Sequence, residues 1–84
     1  ISMFEVAVGD VVVRGDCAGR IVACACEHNV LFAVVEPMPL VARKGAHTLV
    51  VKPSSITEIW PAIEIEHVVG WYFTPDGNCT VVLL

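Results

Sequence analysis

Positive charge is scarce in this chain. Five Lys and Arg stand against nine Asp and Glu in 84 residues, a formal net charge of −4. Affinity for nucleic acid rests on cationic contacts with phosphates, and Arg14, Arg20, Arg43, Lys44 and Lys52 are scattered, with only Arg43-Lys44 adjacent. Nucleic-acid binding by this domain alone is therefore not expected. Long apolar runs are missing as well. The longest, residues 21–26 and 30–35, stop at Glu27 and Glu36, far short of the roughly 18 consecutive apolar residues of a membrane helix. No membrane span is expected. No basic, apolar and small-residue series opens the chain, so no signal peptide is read. The Ile1-Ser2 opening before Met3 reads as a cloning remnant, and the abrupt Val81-Val82-Leu83-Leu84 finish is expected of a domain excised from a larger protein. Neither a linker nor a low-complexity run nor a repeat divides it, which leaves one domain over residues 1–84.

What the chain has is apolar surface. Hydrophobic residues make up 56% of it and the mean hydropathy is +0.73, above the usual share for a globular domain. So small a domain buries a limited fraction of its surface. Either its core is dense, or some apolar surface is meant for a partner.

Residues 63–84 carry the strongest structural signal. Ile63, Ile65, His67, Val69, Trp71 and Phe73 alternate with Glu64, Glu66, Val68, Gly70 and Tyr72 before Thr74-Pro75-Asp76-Gly77-Asn78 turns the chain into Cys79-Thr80-Val81-Val82-Leu83-Leu84. A period of two sends successive side chains to opposite faces, and Gly supplies the positive φ of a tight turn. The pattern predicts a β-hairpin with the first set, His67 included, facing the core. Val68, Tyr72, Val82 and Leu84 fall on the opposite face and are too apolar for a purely solvated surface.

Further strands are expected at residues 3–8, with Phe4, Val6 and Val8 inward, and at 11–14, 20–27, 30–36 and 47–52. Pro37 and Pro39 cannot donate to a ladder and exclude a central strand there. Leu40 to Ala42 is left as a brief edge, followed by an Arg43-Lys44-Gly45 loop. Ser55 and Glu58 have capping-box spacing, and Pro61 limits any helix here to one turn near residues 55–60, with Trp60 plugging one end of a barrel. The expected fold is all-β: a small five- to six-stranded barrel, or a strongly curved antiparallel sheet.

Val8-Gly9-Asp10-Val11-Val12-Val13, the Gly19-Arg20-Ile21-Val22 strand start and a one-turn helix before the last strands resemble the small-barrel superfamily of Src-homology, Tudor and KOW-type domains. The resemblance implies a small β-barrel. An acidic loop with paired tyrosines and a converging aromatic cage are not apparent among Phe4, Phe32, Trp60, Trp71, Tyr72 and Phe73, so it implies no ligand.

Cys24, Cys26 and His28 would share one strand face and are of metal-ligating type. Their spacing is poor, because structural zinc sites use two to four intervening residues. A small buried hydrophobe is the reading for both cysteines, and neither metal nor cofactor is expected. Four cysteines without a secretory signal point to reduced thiols in the cytoplasm or nucleus. Asn78-Cys79-Thr80 matches a glycosylation sequon, but Asn78 also suits a turn. Cys17, His28, His47, His67, Asp10, Asp16 and Asp76 fall in no triad, elbow or phosphate-loop context, so no enzyme is expected.

These readings converge on a non-catalytic protein-interaction or oligomerisation module. It would use an apolar sheet face or a strand edge, with Val68, Tyr72, Val82 and Leu84 as one candidate surface and Leu40, Arg43 and Lys44 as another. One alternative is an accessory domain of a nucleic-acid-processing or chromatin-associated protein, contacting through Arg14, Arg20, Arg43 and Lys44. A small metal-binding or redox unit is the other.

Overall fold

A computed structural model describes residues 5–84. Nine strands are present among them: β1 Val11–Arg14, β2 Cys17–Glu27, β3 Val30–Met38, β4 Leu40–Arg43, β5 Thr48–Val51, β6 Glu58–Pro61, β7 Glu66–His67, β8 Gly70–Phe73 and β9 Cys79–Val82. All pairings are antiparallel, in a five-stranded sheet ordered β6-β3-β2-β1-β7 and a four-stranded sheet ordered β4-β5-β9-β8. The chain is all-β, and neither sheet closes into a barrel. No helix of the described residues is long and apolar enough to cross a membrane.

Why the composition is so apolar follows from β1. Val11 and Val13 point into a cluster with Ala18, Met38, Leu49, Val51, Cys79 and Val81, which holds the two sheets together. Val12 points the other way, into a second cluster with Ile21, Ala33, Val35, Trp60, Ala62 and Ile65. β1 is thus covered on both faces and needs apolar residues at every position rather than at alternate ones. Val6 packs against the second cluster. The expected strand at residues 3–8 is not formed over the described residues 5–8, and Val8 is exposed; Phe4 lies outside the described residues.

Trp60 is the wedge of the second cluster. Arg14 stacks its guanidinium 4.7 Å from the ring centroid, and Nε1 donates to Glu58 Oε2 at 3.4 Å. Glu58 and Trp60 sit on β6, paired with Val35 and Ala33, so the helical turn expected near residues 55–60 is absent. A 3₁₀ turn comes instead at Ala62–Glu64. Alternation across the sheet buries the indole, which a helical turn at this place would not do.

β3 runs through Pro37, against expectation. β6 pairs only with Phe32 to Val35, so beyond Val35 that side of β3 is an open edge, where a missing N–H costs no ladder bond. Pro37 keeps its carbonyl satisfied by the Ser54 hydroxyl, which donates at 2.5 Å.

The long strand expected over residues 63–73 is broken in two. Glu66 and His67 pair with β1 in one sheet, whereas Gly70 to Phe73 pair with β9 in the other. Crossing between sheets at Val68 and Val69 resets which side of the chain is inside. Ile65 is buried as predicted; Ile63 is 89% exposed on the 3₁₀ turn and Val69 61% exposed at the crossing. His67 is no core residue. Its ring is half exposed, with Nε2 3.7 Å from a Glu5 carboxylate oxygen.

Candidate protein-interaction edge

The closing hairpin forms as its turn residues dictate. Gly77 N–H donates to the Thr74 carbonyl at 3.0 Å, and Thr74 N–H to the Asn78 carbonyl at 2.9 Å. Gly77 takes φ +87°, in the left-handed region that favours glycine. The Asp76 carboxylate accepts from the Thr74 hydroxyl and from the Asn78 backbone N–H. These bonds hold its pKa below the ordinary carboxylate value. Asn78 adds a side-chain bond to the same carboxylate at 3.3 Å, the turn role expected of it.

This turn sets the register of β8 on β9, with Trp71 opposite Val81, Tyr72 opposite Thr80 and Phe73 opposite Cys79. Because Thr74 bonds to Asn78, the alternation of an antiparallel ladder makes Tyr72 and Thr80 the next bonded pair. Trp71 and Phe73 therefore turn their N–H and C=O groups away from β9, toward the open side. Their side chains share the inner face with Val81 and Cys79 but lie at its margin, where no further strand covers them. The two rings meet edge-on, with centroids 5.7 Å apart at 80°, and the Arg20 guanidinium lies 5.9 Å from the Phe73 centroid. Burial pushes the neighbouring Cys79 thiol pKa up.

Tyr72 is on the outer face, in a cross-strand row with Thr80, Val50 and Ala42, and is 56% exposed. Val82 is half-buried on that face, between Thr48 and Gly70. Leu84 is exposed beyond β9, its carbonyl accepting from His47 Nδ1 at 3.2 Å. Val68 does not join this face. The crossing between sheets sends it inward, against the cluster that joins them.

Among the described residues the sheets end in four edge strands, besides the stretch of β3 past Val35 that Pro37 interrupts, and three of the four carry features that discourage pairing. β6 has Glu58 and ends at Pro61, and β7 is two residues long with a charge at Glu66. β4, the edge expected at Leu40, slips register between Leu40 and Ala42 and comes directly after Pro39. Its Arg43 is committed to Asp16, Nη2 to Oδ1 at 3.2 Å, and Lys44 lies just beyond the strand. Short strands, charges, prolines and bulges are the usual means of blunting an edge. β8, Gly70-Trp71-Tyr72-Phe73, has no charge, proline or register slip.

At the Gly70 end of β8 lies a cleft of about 190 Å³ lined by Glu5, Asp10, His67, Val68, Gly70 and Trp71. It is acidic. Asp10 is also anchored there, accepting the Ala7 N–H at 2.8 Å.

The cysteine constellation is not brought together. Cys24 and Cys26 pair with Ala33 and Leu31 on a projecting β2–β3 arm and are exposed. The expected core role fails because no element covers the arm. His28 sits at the arm's tip with φ 51°, 3.7 Å from a Glu27 oxygen. Among the described residues no three His, Cys, Asp or Glu are grouped to hold a metal ion. The same arm exposes Val30 and Leu31 beside Pro61, Ala62 and Ile63, around an open groove of about 410 Å³.

Sequence reasoning missed Trp71 and Phe73 as edge residues, having assigned them to the core. The stretch from Val68 to Pro75 is uncharged, which suits a core strand as well as an open edge, so the sequence carried no signal that separates the two. No family model, curated protein or solved structure matches the chain.

Proposed function

We propose that the domain is a non-catalytic protein-interaction module that accepts an extended polypeptide segment as a fifth strand of the four-stranded sheet, alongside β8. The observation that carries this reading is the unblunted β8 edge beside three blunted ones. Outward N–H and C=O groups of Trp71 and Phe73 would bond the incoming main chain and supply affinity. Tyr72 on one face and the Trp71–Phe73 pair on the other would select its side chains. Tyr72 thus stays in the candidate surface, while the site moves from the sheet face to its edge. The likeness to Src-homology, Tudor and KOW-type domains goes no further than the all-β class, since neither sheet closes into the small barrel that it implied.

The nucleic-acid reading is disfavoured by the use of the cations. Arg14 stacks on Trp60, Arg20 lies 5.9 Å from the Phe73 ring centroid, and Arg43 pairs with Asp16. Four unpaired thiols support a cytoplasmic or nuclear setting.

A peptide library selected on the immobilised domain tests the proposal. Bound peptides should alternate in hydropathy and slow hydrogen exchange at the Trp71 and Phe73 amides. Substituting Trp71→Pro, which removes an edge donor without touching the β9 ladder, should abolish binding. Selected peptides that leave both amides unprotected, or bind the Trp71→Pro variant equally well, refute it.

A further inference from the structure

We infer that the strand β8 accepts is β8 of a second copy of this chain, antiparallel to it about a twofold axis at Tyr72. The inference rests on the strand-addition reading and adds the partner and the register. Trp71 and Phe73 are the residues whose backbone groups face outward, so a second β8 must set outward residues opposite outward residues. Trp71 opposite Phe73 of the other copy, and Phe73 opposite its Trp71, uses all four residues and forms four main-chain bonds. Moving the copy by one residue sets outward groups against inward ones and forms none. A two-residue shift, with Trp71 opposite Trp71 or Phe73 opposite Phe73, leaves one outward residue of each strand outside the matched stretch. Parity therefore singles out the register centred on Tyr72. There the two tyrosines form a non-bonded pair, the closer kind, with Cα atoms about 4.5 Å apart on the outer face.

Charge supports the same arrangement. Each β8 has a cation at its Phe73 end, where the Arg20 guanidinium lies 5.9 Å from the ring centroid, and at its Gly70 end a cleft that holds the carboxylates of Glu5 and Asp10, with His67 3.7 Å from Glu5. Among the described residues Arg20 has no carboxylate within ion-pair distance. Antiparallel pairing brings each Arg20 end beside the acidic cleft of the other copy, twice over, as a closed twofold interface requires. β8 itself adds no charge to oppose contact. Two four-stranded sheets would become one continuous sheet of eight.

Sedimentation equilibrium from micromolar to near-millimolar concentration reads the association, with circular dichroism checking that each variant folds. Wild type should form a dimer and no larger species. Arg20→Glu and Glu5→Arg should each weaken it roughly tenfold or more, since each sets like charges together at both ends. An equimolar mixture of the two variants should restore it. In the mixed dimer the end carrying Arg20→Glu meets the cleft carrying Glu5→Arg, and the opposite end is wild type. Tyr72→Lys, at an exposed position, should weaken it by repulsion across the axis. Failure of the mixture to recover overturns the register. A dimer indifferent to Trp71→Pro overturns the use of β8. Wild type that stays monomeric while library peptides still protect Trp71 and Phe73 overturns the second copy alone, and monomers that bind no peptide remove the strand-addition reading with it.

Discussion

Adding one methyl group at Gly19 should destabilise this protein, although glycine in a strand is itself unfavourable. A Cβ there would stand 2.8 Å from Trp60 Cη2, 3.1 Å from Cζ3 and 3.3 Å from Val35 Cβ. Carbon atoms pack best at about 3.5–4.0 Å, so the indole would have to retreat by several tenths of an ångström. It has no room. Trp60 is 1% exposed among Ala33, Val35 and Ile21, with Arg14 stacked on its face. Overpacking of this kind costs about 1–3 kcal/mol, while replacing a strand glycine by alanine returns about 0.5–1 kcal/mol. The expected net loss for Gly19→Ala is about 1–2 kcal/mol, read as a lower urea midpoint at unchanged slope. A double-mutant cycle with Trp60→Phe isolates the cause, because phenylalanine lacks the outer ring that carries Cη2 and Cζ3. In that background Gly19→Ala should cost less than about 0.5 kcal/mol. An equal cost in both backgrounds, or a stabilised single variant, would refute the placement of Trp60 over Gly19.

Two further outcomes test other parts of the fold. Cys17, Cys24 and Cys26 are exposed and Cys79 is buried, so a disulfide reagent should titrate three thiols in the native protein and the fourth only after denaturation. Because the folded Cys79 pKa is raised, its contribution to stability is whole below the ordinary thiol value. It is lost as pH climbs from there through the raised one; Cys79→Ala, less stable at neutral pH, should lack that alkaline decline. At the tip of the β2–β3 arm, His28 and Asn29 hold φ of 51° and 65°, the pattern of a two-residue turn that favours glycine second. Relief of left-handed strain at Asn29, offset in part by the greater unfolded-state entropy of glycine, should make Asn29→Gly more stable by a few tenths of a kcal/mol in thermal unfolding, and a loss would count against the turn.

The positions that sequence reading placed well are those governed by neighbours in the chain. Thr74 to Asn78 turn because proline, aspartate and glycine limit their own dihedrals, and Tyr72 lies outward relative to Trp71 because adjacent strand residues oppose each other. Leu40 was legible as an edge from the prolines before it. Val68 was misplaced because a period of two was carried through a crossing between sheets, which has no residue signature of its own, whereas His67 keeps the parity of Ile65 opposite Val12 but lies on the edge strand β7, where it stays half exposed. Cys24 and Cys26 were misplaced for a different reason. Their strand is apolar enough for a core, yet β2 and β3 extend past every element that might cover them.

Alone, the sequence determined that this protein is all-β, where its last hairpin turns, and that β8 carries no charge, since those depend on backbone sterics and on the residues themselves. Tertiary structure decided that two open sheets form in place of a barrel, that β1 is buried on both faces, and that Trp71 and Phe73 lie at an uncovered margin. Burial is a property of what stands opposite a residue, and that is set by strand order between segments far apart in the chain. The open edge at β8 is a consequence of that order, and no periodicity within residues 70–73 could have announced it.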